Sequence, residues 1–550
     1  MVVRHSIVSD AMTAGRTILM GGRVFTADAE NPWADAVVVE ADRIVFVGDA
    51  ERAAAMAGED ARTIEVDGGL VLPGFVDGHV HVTLTGSSML KAYLRDAGSV
   101  EEIQRRVAEW AAGHPDEPRV LGTDWVHSDL PDNKPTKEML DAVVTDRPVY
   151  LEAFDFHSCW VNSAALRELG IDDDTPDPVG GTIARDPETG EATGHLLESA
   201  SFELVQPLLA DVDDEVRDGY VTTALAAFAR AGITSVVEMA LEENALESIA
   251  RLQAAGKLTA RVVAHMIIWR KGDMSQELEM VRRAAELARE YRGDLLRVGG
   301  VKIISDGSID ACTAALSRPY TNGSSADPIW EPAALDPVVE AADALDLQIA
   351  VHAVGDQAIR NTVDAMERAM RINGTSGKRH RIEHLEYART EDIERMGKLG
   401  ITASMQPVHM DPAYLQNWIA MVGPERANHG FAWPLHVAAG SVLAFGTDAP
   451  TTPHWSLPNM YIASTRKSPV DDSLPALRPD WALPLEEAIQ HGTRESAWAA
   501  WLDHATGVLK PGLAADIVVL NRNFFAEGPA SLLKTDVRLT MMNGKVVHSA

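Results

Sequence analysis

Val71-Leu72-Pro73-Gly74-Phe75-Val76-Asp77-Gly78-His79-Val80-His81 is an apolar run that ends on two histidines separated by one residue. In an extended strand, positions i and i+2 face the same side, so both imidazoles reach toward one cation. Taken alone, the pair reads equally well as two polar residues at a strand end. Asp77-Gly78 breaks the run just before the pair, and His352, His384 and Asp448 each stand at the end of a later strand-like run.

Downstream of the pair, apolar runs of strand length recur at 232–238, 260–266, 298–304, 347–352, 379–384, 401–406 and 442–447. Amphipathic helical stretches such as 357–370 lie between several of them. With the strand before His79 this makes eight βα units, the number that closes a (β/α)8 TIM barrel of the α/β class. His352 and His384 are one unit apart, and His384 and Asp448 two. The interval from His81 to Lys302 is far longer than three units need. Its excess is an inserted cap with its own strands, placed by its position after the first strand over the C-terminal mouth of the barrel, where active sites of this fold sit.

The chain termini read differently. Short strands with turns fill 17–20, 23–26, 36–40 and 44–47, and again 515–520 and 537–542, the last entering Asn543-Gly544, a strong hairpin turn. Neither set buries two faces alone, so both ends are expected to pair into one small β-sandwich. The expected division is a β-sandwich from 1–73 plus 490–550, a metal-dependent barrel from 74–86 plus 219–489, and a cap or substrate domain at 87–218.

Composition narrows the class. The 550 residues, 46% hydrophobic, bury a large core, and a net charge of −32 argues against nucleic acid or an anionic membrane as partner. Cys159 and Cys312 are too few for a disulfide framework, which points to a reducing cytoplasm. Residues 1–17 build no apolar signal block and read as a loose tail, and no stretch is long enough to span a bilayer. The expected protein is cytoplasmic, acts on a small molecule, and is a homodimer by default for a soluble enzyme.

Lys302 is the most telling residue. An ammonium among four imidazoles around a divalent cation is electrostatically unfavourable. Carbamylation resolves the conflict: a neutral lysine amine adds CO₂ and becomes an N6-carboxylated side chain able to bridge two metals roughly 3.5–4 Å apart. The plainer alternatives are a lysine paired with Asp306 and, for His352 and His384, hydrogen-bonded core histidines. Asp448, which elsewhere would be a turn residue before Ala449-Pro450, is expected both to bind metal and to move the proton as general base.

These pieces, with Val301-Lys302-Ile303-Ile304-Ser305-Asp306-Gly307-Ser308, His352-Ala353-Val354-Gly355-Asp356, Arg381-Ile382-Glu383-His384 and Gly446-Thr447-Asp448-Ala449-Pro450, resemble the amidohydrolase superfamily. The arrangement further resembles its YtcJ-like branch, which includes the N-substituted formamide deformylases. The resemblance implies two divalent ions of the zinc type, with His79, His81 and Asp448 on one, His352 and His384 on the other, and carboxylated Lys302 between. The donor set suits zinc, manganese, iron or cobalt. Within the insertion, Phe154 to Ser163 and Gly190-Glu191-Ala192-Thr193-Gly194 also resemble this branch. Relatives more often carry glycine at the Phe156 position and near Asp124, so a ring and a charge there change the pocket wall.

Candidate substrate contacts are Trp125, His157, Asn162 and Glu198 from the insertion, with Trp160 beside them, and Asp306, Tyr320, Gln406 and His409 after barrel strands; Ser308 is a further candidate. Core packing and turn capping are the competing roles for these residues. His265 lies on a strand with no matching partner and is expected to be structural. The expected activity is a metal-dependent hydrolase acting on carbon–nitrogen bonds other than peptide bonds, through a metal-bridging hydroxide. Its rivals are a one-metal deaminase or a lactone or ester hydrolase on the same barrel, and a non-catalytic binding scaffold.

Overall fold

The run that opens the barrel divides at Pro73-Gly74. Leu70–Pro73 belongs to a terminal sheet, while Phe75–Val80 is the first barrel strand, β1. Between them a Cβ on Gly74 would lie 2.2 Å from Thr234 Oγ1 and 2.8 Å from its Cβ, so glycine lets the chain turn this close to Thr234. The computed structural model describes residues 15–550. The tail expected over 1–17 lies outside the described residues except at its end, where the strand Arg16–Met20 has already begun.

The barrel continues with β2 (Ile233–Leu241), β3 (Arg261–Ile267), β4 (Leu296–Ile304), β5 (Gln348–Ala353), β6 (Arg381–His384), β7 (Thr402–Met405) and β8 (Leu443–Phe445). Each strand pairs in parallel with the next. This is a (β/α)8 TIM barrel. Between β8 and β1 no regular ladder forms. The Asp448 amide donates to the His79 carbonyl at 2.7 Å, and a Cβ on Gly446 would stand 2.4 Å from His79 N. Asp77 reinforces this seam, its carboxylate accepting from the Thr447 amide at 2.9 Å and the Thr447 hydroxyl at 2.6 Å.

Helices around the barrel follow their apolar spacing. Asp356–Asn373 buries Ala358, Ile359, Thr362, Val363, Met366 and Ala369 on one face and stops at Gly374, whose φ of 66° suits glycine. The termini form a four-stranded and a six-stranded sheet, the latter joining Leu70–Pro73 to Ile517–Leu520 and Val537–Met542. Leu19, Val37 and Ile44 from one sheet share a core with Val71, Ile517 and Val519 from the other. Arg261 at the base of β3 bonds Asp516 at 2.7 Å and anchors this β-sandwich to the barrel.

Between β1 and β2 the chain builds a separate six-stranded sheet, in the order Gly181–Arg185, Ala192–Glu198, Ser158–Val161, Val149–Ala153, Val120–Trp125, Ala92–Tyr93. It has its own core of Leu94, Ile103, Val107, Trp125, Leu151 and Trp160. No helix among the described residues is long and apolar enough to cross a membrane.

Candidate active site

His79, Lys302, His352 and His384 lie in the C-terminal halves of β1, β4, β5 and β6, with His81 just beyond β1 and Asp448 just beyond β8. The strand twist turns all six toward one cavity of about 270 Å³ between barrel and cap. Asp448 Oδ1 stands 3.2 Å from His79 Nε2 and 3.1 Å from His81 Nε2. Lys302 Nζ is 3.5 Å from His79 Nε2. The His352 and His384 rings are 4.4 Å apart, and the His384 ring is 5.0 Å from that of His79.

Each imidazole has one nitrogen tied back to an oxygen. His79 Nδ1 donates to Glu383 Oε2 at 2.7 Å and His81 Nδ1 to the Met239 carbonyl at 2.7 Å. His384 Nδ1 donates to Gln406 Oε1 at 2.9 Å, and His352 Nε2 to the Gly307 carbonyl at 3.2 Å. These acceptors assign the protons and leave the opposite nitrogen of each ring as a lone pair, the arrangement that orients metal ligands. Asp448 Oδ1 is buried and, despite its two close neighbours, makes no hydrogen bond. Two donors each about 2.1 Å from one tetrahedral ion lie about 3.4 Å apart, close to the spacing found here. His79, His384 and Asp448 each offer an atom within 4.8 Å of the others. The residues fit a divalent cation.

Electrostatics agree with that fit. Burial, aided by neighbouring positive groups, pushes His79 down and His352 and His384 well down, keeping the ligand nitrogens unprotonated. His81 goes the other way: burial would lower it, but the neighbouring Asp448 and Glu238 carboxylates together overcome that and raise it. Burial would raise Asp448, but His79, His81 and His384 hold it well below the usual carboxylate range. Burial also pushes the Lys302 amine down to about 8. No Lys302–Asp306 ion pair forms among the described residues. Asp306 instead accepts the amides of Ala315, Val354 and Gly355 at 2.9–3.0 Å.

The candidate substrate contacts separate into two groups. His157 and His409 line the cavity. His157 Nδ1 bonds Glu198 Oε2 at 2.7 Å, and this pair, with Asp155 and Asp306, overcomes burial to push the imidazole up to about 9. His409 Nε2 lies 3.4 Å from Asp448 Oδ2, and its Nδ1 lies 3.5 Å from Glu386 Oε1. Glu198, Asp306 and Gln406 stand behind this layer and orient His157, the β4 and β5 loops, and His384. Ser308 lines the cavity and donates to Asp155 at 2.8 Å.

Trp125, Asn162 and Tyr320 do not reach the cavity. Trp125 is enclosed in the cap core with its Nε1 on the Leu151 carbonyl, and Trp160 is enclosed beside it with Nε1 on Thr136. Asn162 caps the helix Ser163–Leu169 through the Ala165 amide at 2.9 Å. Tyr320 gives its hydroxyl to the Ala314 carbonyl at 2.7 Å. The cavity's aromatic wall comes from Phe154, Phe156, Phe202, Trp269, Tyr414 and Trp418. His265, buried on β3, bonds Gln348 at 3.0 Å and stays out of the cavity.

Sequence reasoning missed Glu383, whose carboxylate is shared between His79 and Arg381, the latter at 2.6 Å. Its only signal is its alternation with Arg381 along β6, which points both into the barrel. Phe202 and Trp269 gave none.

A family model described as "Amidohydrolase family" matches residues 62–548. The putative amidohydrolase YtcJ of Bacillus subtilis (strain 168) is 29% identical, with 97% of this chain and 99% of that protein covered. The N-substituted formamide deformylase of Arthrobacter pascens is 26% identical over 96% of this chain and 97% of its own. An uncharacterized metal-dependent hydrolase from Pyrococcus horikoshii OT3 superposes with a TM-score of 0.75 at 25% identity, covering 97% of this chain and 100% of that one.

Proposed function

The chain belongs to the amidohydrolase family, in its YtcJ-like branch, a family of metal-dependent hydrolases, and on that premise we propose that it hydrolyses the carbon–nitrogen bond of an amide-type substrate, an N-substituted formamide or another N-acyl compound. The observation that carries the reading is the convergence of four proton-assigned imidazoles, Lys302 and an oxygen of Asp448 that has no hydrogen bond. In this proposal His79, His81 and Asp448 hold one divalent ion, His352 and His384 hold a second, and N6-carboxylated Lys302 lies between them. Zinc is the ion proposed, since a nitrogen and carboxylate set suits it. When bound, such ions supply a Lewis acid for the carbonyl and a water that ionises near neutral pH.

The chain's own residues handle the proton and the pose. Asp448 accepts the proton of the attacking water and delivers it to the leaving nitrogen as the tetrahedral intermediate collapses to acid and amine. His409, with Glu386 behind it, fixes the second oxygen of that carboxylate. His157, held from the cap by Glu198, faces the substrate beside His352, their rings 5.0 Å apart. Phe156, Phe202 and Trp269 receive an apolar or aromatic substituent. In this reading residues 87–218 form the substrate-selecting cap, 74–86 plus 219–489 the barrel, and 1–73 plus 490–550 the β-sandwich. The enzyme is proposed to work as a cytoplasmic homodimer on a small molecule, without nucleic-acid or membrane partners, in keeping with its −32 charge and two cysteines.

Kinetics of metal-replete enzyme on N-alkyl and N-benzyl formamides, N-acyl amino acids, lactones and phosphoesters test the proposal. Turnover of the amides is expected. Turnover confined to lactones or phosphoesters contradicts it.

A further inference from the structure

Besides Lys302, three basic side chains lie on the cavity wall, and two are committed to neighbouring acids. Lys91 pairs with Glu152, and Arg217 bonds Asp214 at 3.0 Å together with the carbonyls of Ala210 and Val212. Arg95 differs. Its Nη2 donates to Asp124 Oδ1 at 2.6 Å and to the Thr451 carbonyl, but its buried Nε meets no acceptor, and Nη1 makes no hydrogen bond among the described residues. The guanidinium carbon lies 5.5 Å from the Phe154 ring and 5.6 Å from the Tyr414 ring, both on the cavity wall. The side chain is only 5% exposed. A guanidinium held in one pose between two rings, with Nη1 and Nε left without acceptors, is prepared to take a further anionic or carbonyl oxygen.

Its position is tied to the proposed chemistry. Thr451, whose carbonyl Arg95 grips, donates its own amide to the Asp448 carbonyl at 2.9 Å, so cap and proton carrier are fastened at one turn. The cap backbone is strained around the same spot. Asp124 has φ 72° and Phe156 φ 59°, left-handed values that favour glycine, yet one carries the carboxylate that holds Arg95 and the other a ring of the cavity wall. Strain of this kind persists where a site is over-determined by its surroundings. Burial pushes the Asp124 carboxyl above its usual range against the pull of Arg95. Apart from Asp448, the acids on the wall are already bonded: Asp155 to Ser308 at 2.8 Å, Asp310 to Asn417 at 3.0 Å, Glu386 to Trp418 at 2.7 Å, Glu242 to Trp269 at 3.2 Å, and Glu238 to the Val82 amide.

We propose that Arg95 seats a carboxylate of the substrate, so that the amide cleaved bears an anionic group beside its apolar substituent, as an N-acyl amino acid does and a neutral N-substituted formamide does not. This rests on the carbon–nitrogen reading above. In the reaction, water oxygen bonds to the acyl carbon, the C–N bond breaks, and the water proton passes through Asp448 to nitrogen. Acid and amine leave, nothing is oxidised, and the carboxylate on Arg95 takes no part in bond making.

The test compares N-formylphenylalanine with N-phenethylformamide, the same molecule with hydrogen in place of the carboxylate, on metal-replete enzyme. The kcat/KM for the carboxylate compound is expected to be about 100-fold higher. In Arg95→Met/Asp124→Asn, which removes the buried pair together, that preference collapses, through KM rather than kcat. Arg95→Lys, which keeps the charge and loses the fixed planar array of donors, falls between them. Equal or better turnover of the neutral compound by the unaltered enzyme, or a preference that survives in the double variant, overturns the proposal. If neither compound is cleaved, the carbon–nitrogen reading falls, and calorimetric binding of N-formylphenylalanine still decides the role of Arg95. Binding about 10-fold weaker or more in the double variant supports it, and unchanged binding overturns it. Thermal melting shows whether the double variant folds; if it does not, Arg95→Lys carries the comparison by the same criteria.

Discussion

Glu383 shows how a residue outside the reacting layer governs it. Its carboxylate fixes His79 through Nδ1 and neutralises Arg381, which also grips the Gly78 carbonyl and the Ser404 hydroxyl, each at 2.6 Å. Glu383→Gln is expected to weaken zinc binding about 10–100-fold, measured by chelator competition, because the ring loses its charged acceptor. The melting temperature should fall too, since Arg381 keeps a buried charge without its partner. A different cost sits at His436, fully buried with neither ring nitrogen partnered among the described residues. Burial pushes it from 6.5 to about 3, so the unfolded chain binds more protons across that window. Stability is complete above pH 6.5 and is lost as pH falls toward 3. His436→Leu should flatten part of the acid limb of a melting-temperature profile, and an unaltered limb would contradict this assignment. The convergence of His79, His81, His352 and His384 on one cavity was legible in sequence because imidazoles at successive strand ends face the same mouth of the barrel. Trp125 and Asn162 were misplaced because nothing in a lone tryptophan or asparagine tells which face of an inserted sheet it takes.

The eight barrel strands were legible as apolar runs bounded by turns, yet the first run was two strands, separated by one glycine whose neighbour Thr234 is distant in sequence. The cap's edge strand Ala92–Tyr93 is too short to show a period, and the left-handed backbone at Asp124 and Phe156 follows from contacts no pattern reports. The seam between β1 and β8 is the element contact on which the site depends. There a Cβ at Gly446 would meet His79 N at 2.4 Å and one at Gly78 the Phe445 carbonyl at 2.7 Å. Gly446→Ala should therefore push β8 from β1 and carry Asp448 out of line with His79 and His81. A fall in kcat of about 100-fold is expected with the fold retained by circular dichroism. Full activity in that variant would show that the seam has slack.

Across the molecule, the terminal β-sandwich anchors the barrel through Arg261 and Asp516, the barrel presents the proposed ligands, and the cap supplies part of the cavity wall, with Arg95 and His157 on it. This division explains why the family and fold could be read along most of the chain while the substrate could not. The proposed ligands follow the barrel's own repeat, whereas half of the aromatic wall, Phe154, Phe156 and Phe202, comes from an insertion whose side chains meet the barrel only after folding. The chemistry proposed depends on a two-ion centre with modified Lys302 between the ions. Anomalous diffraction at the zinc edge from zinc-loaded crystals tests it directly. Two peaks roughly 3.5–4 Å apart are expected, one against His79, His81 and Asp448 and the other against His352 and His384, with continuous density extending from Lys302 Nζ between them. A single peak beside an unmodified Lys302 would contradict it.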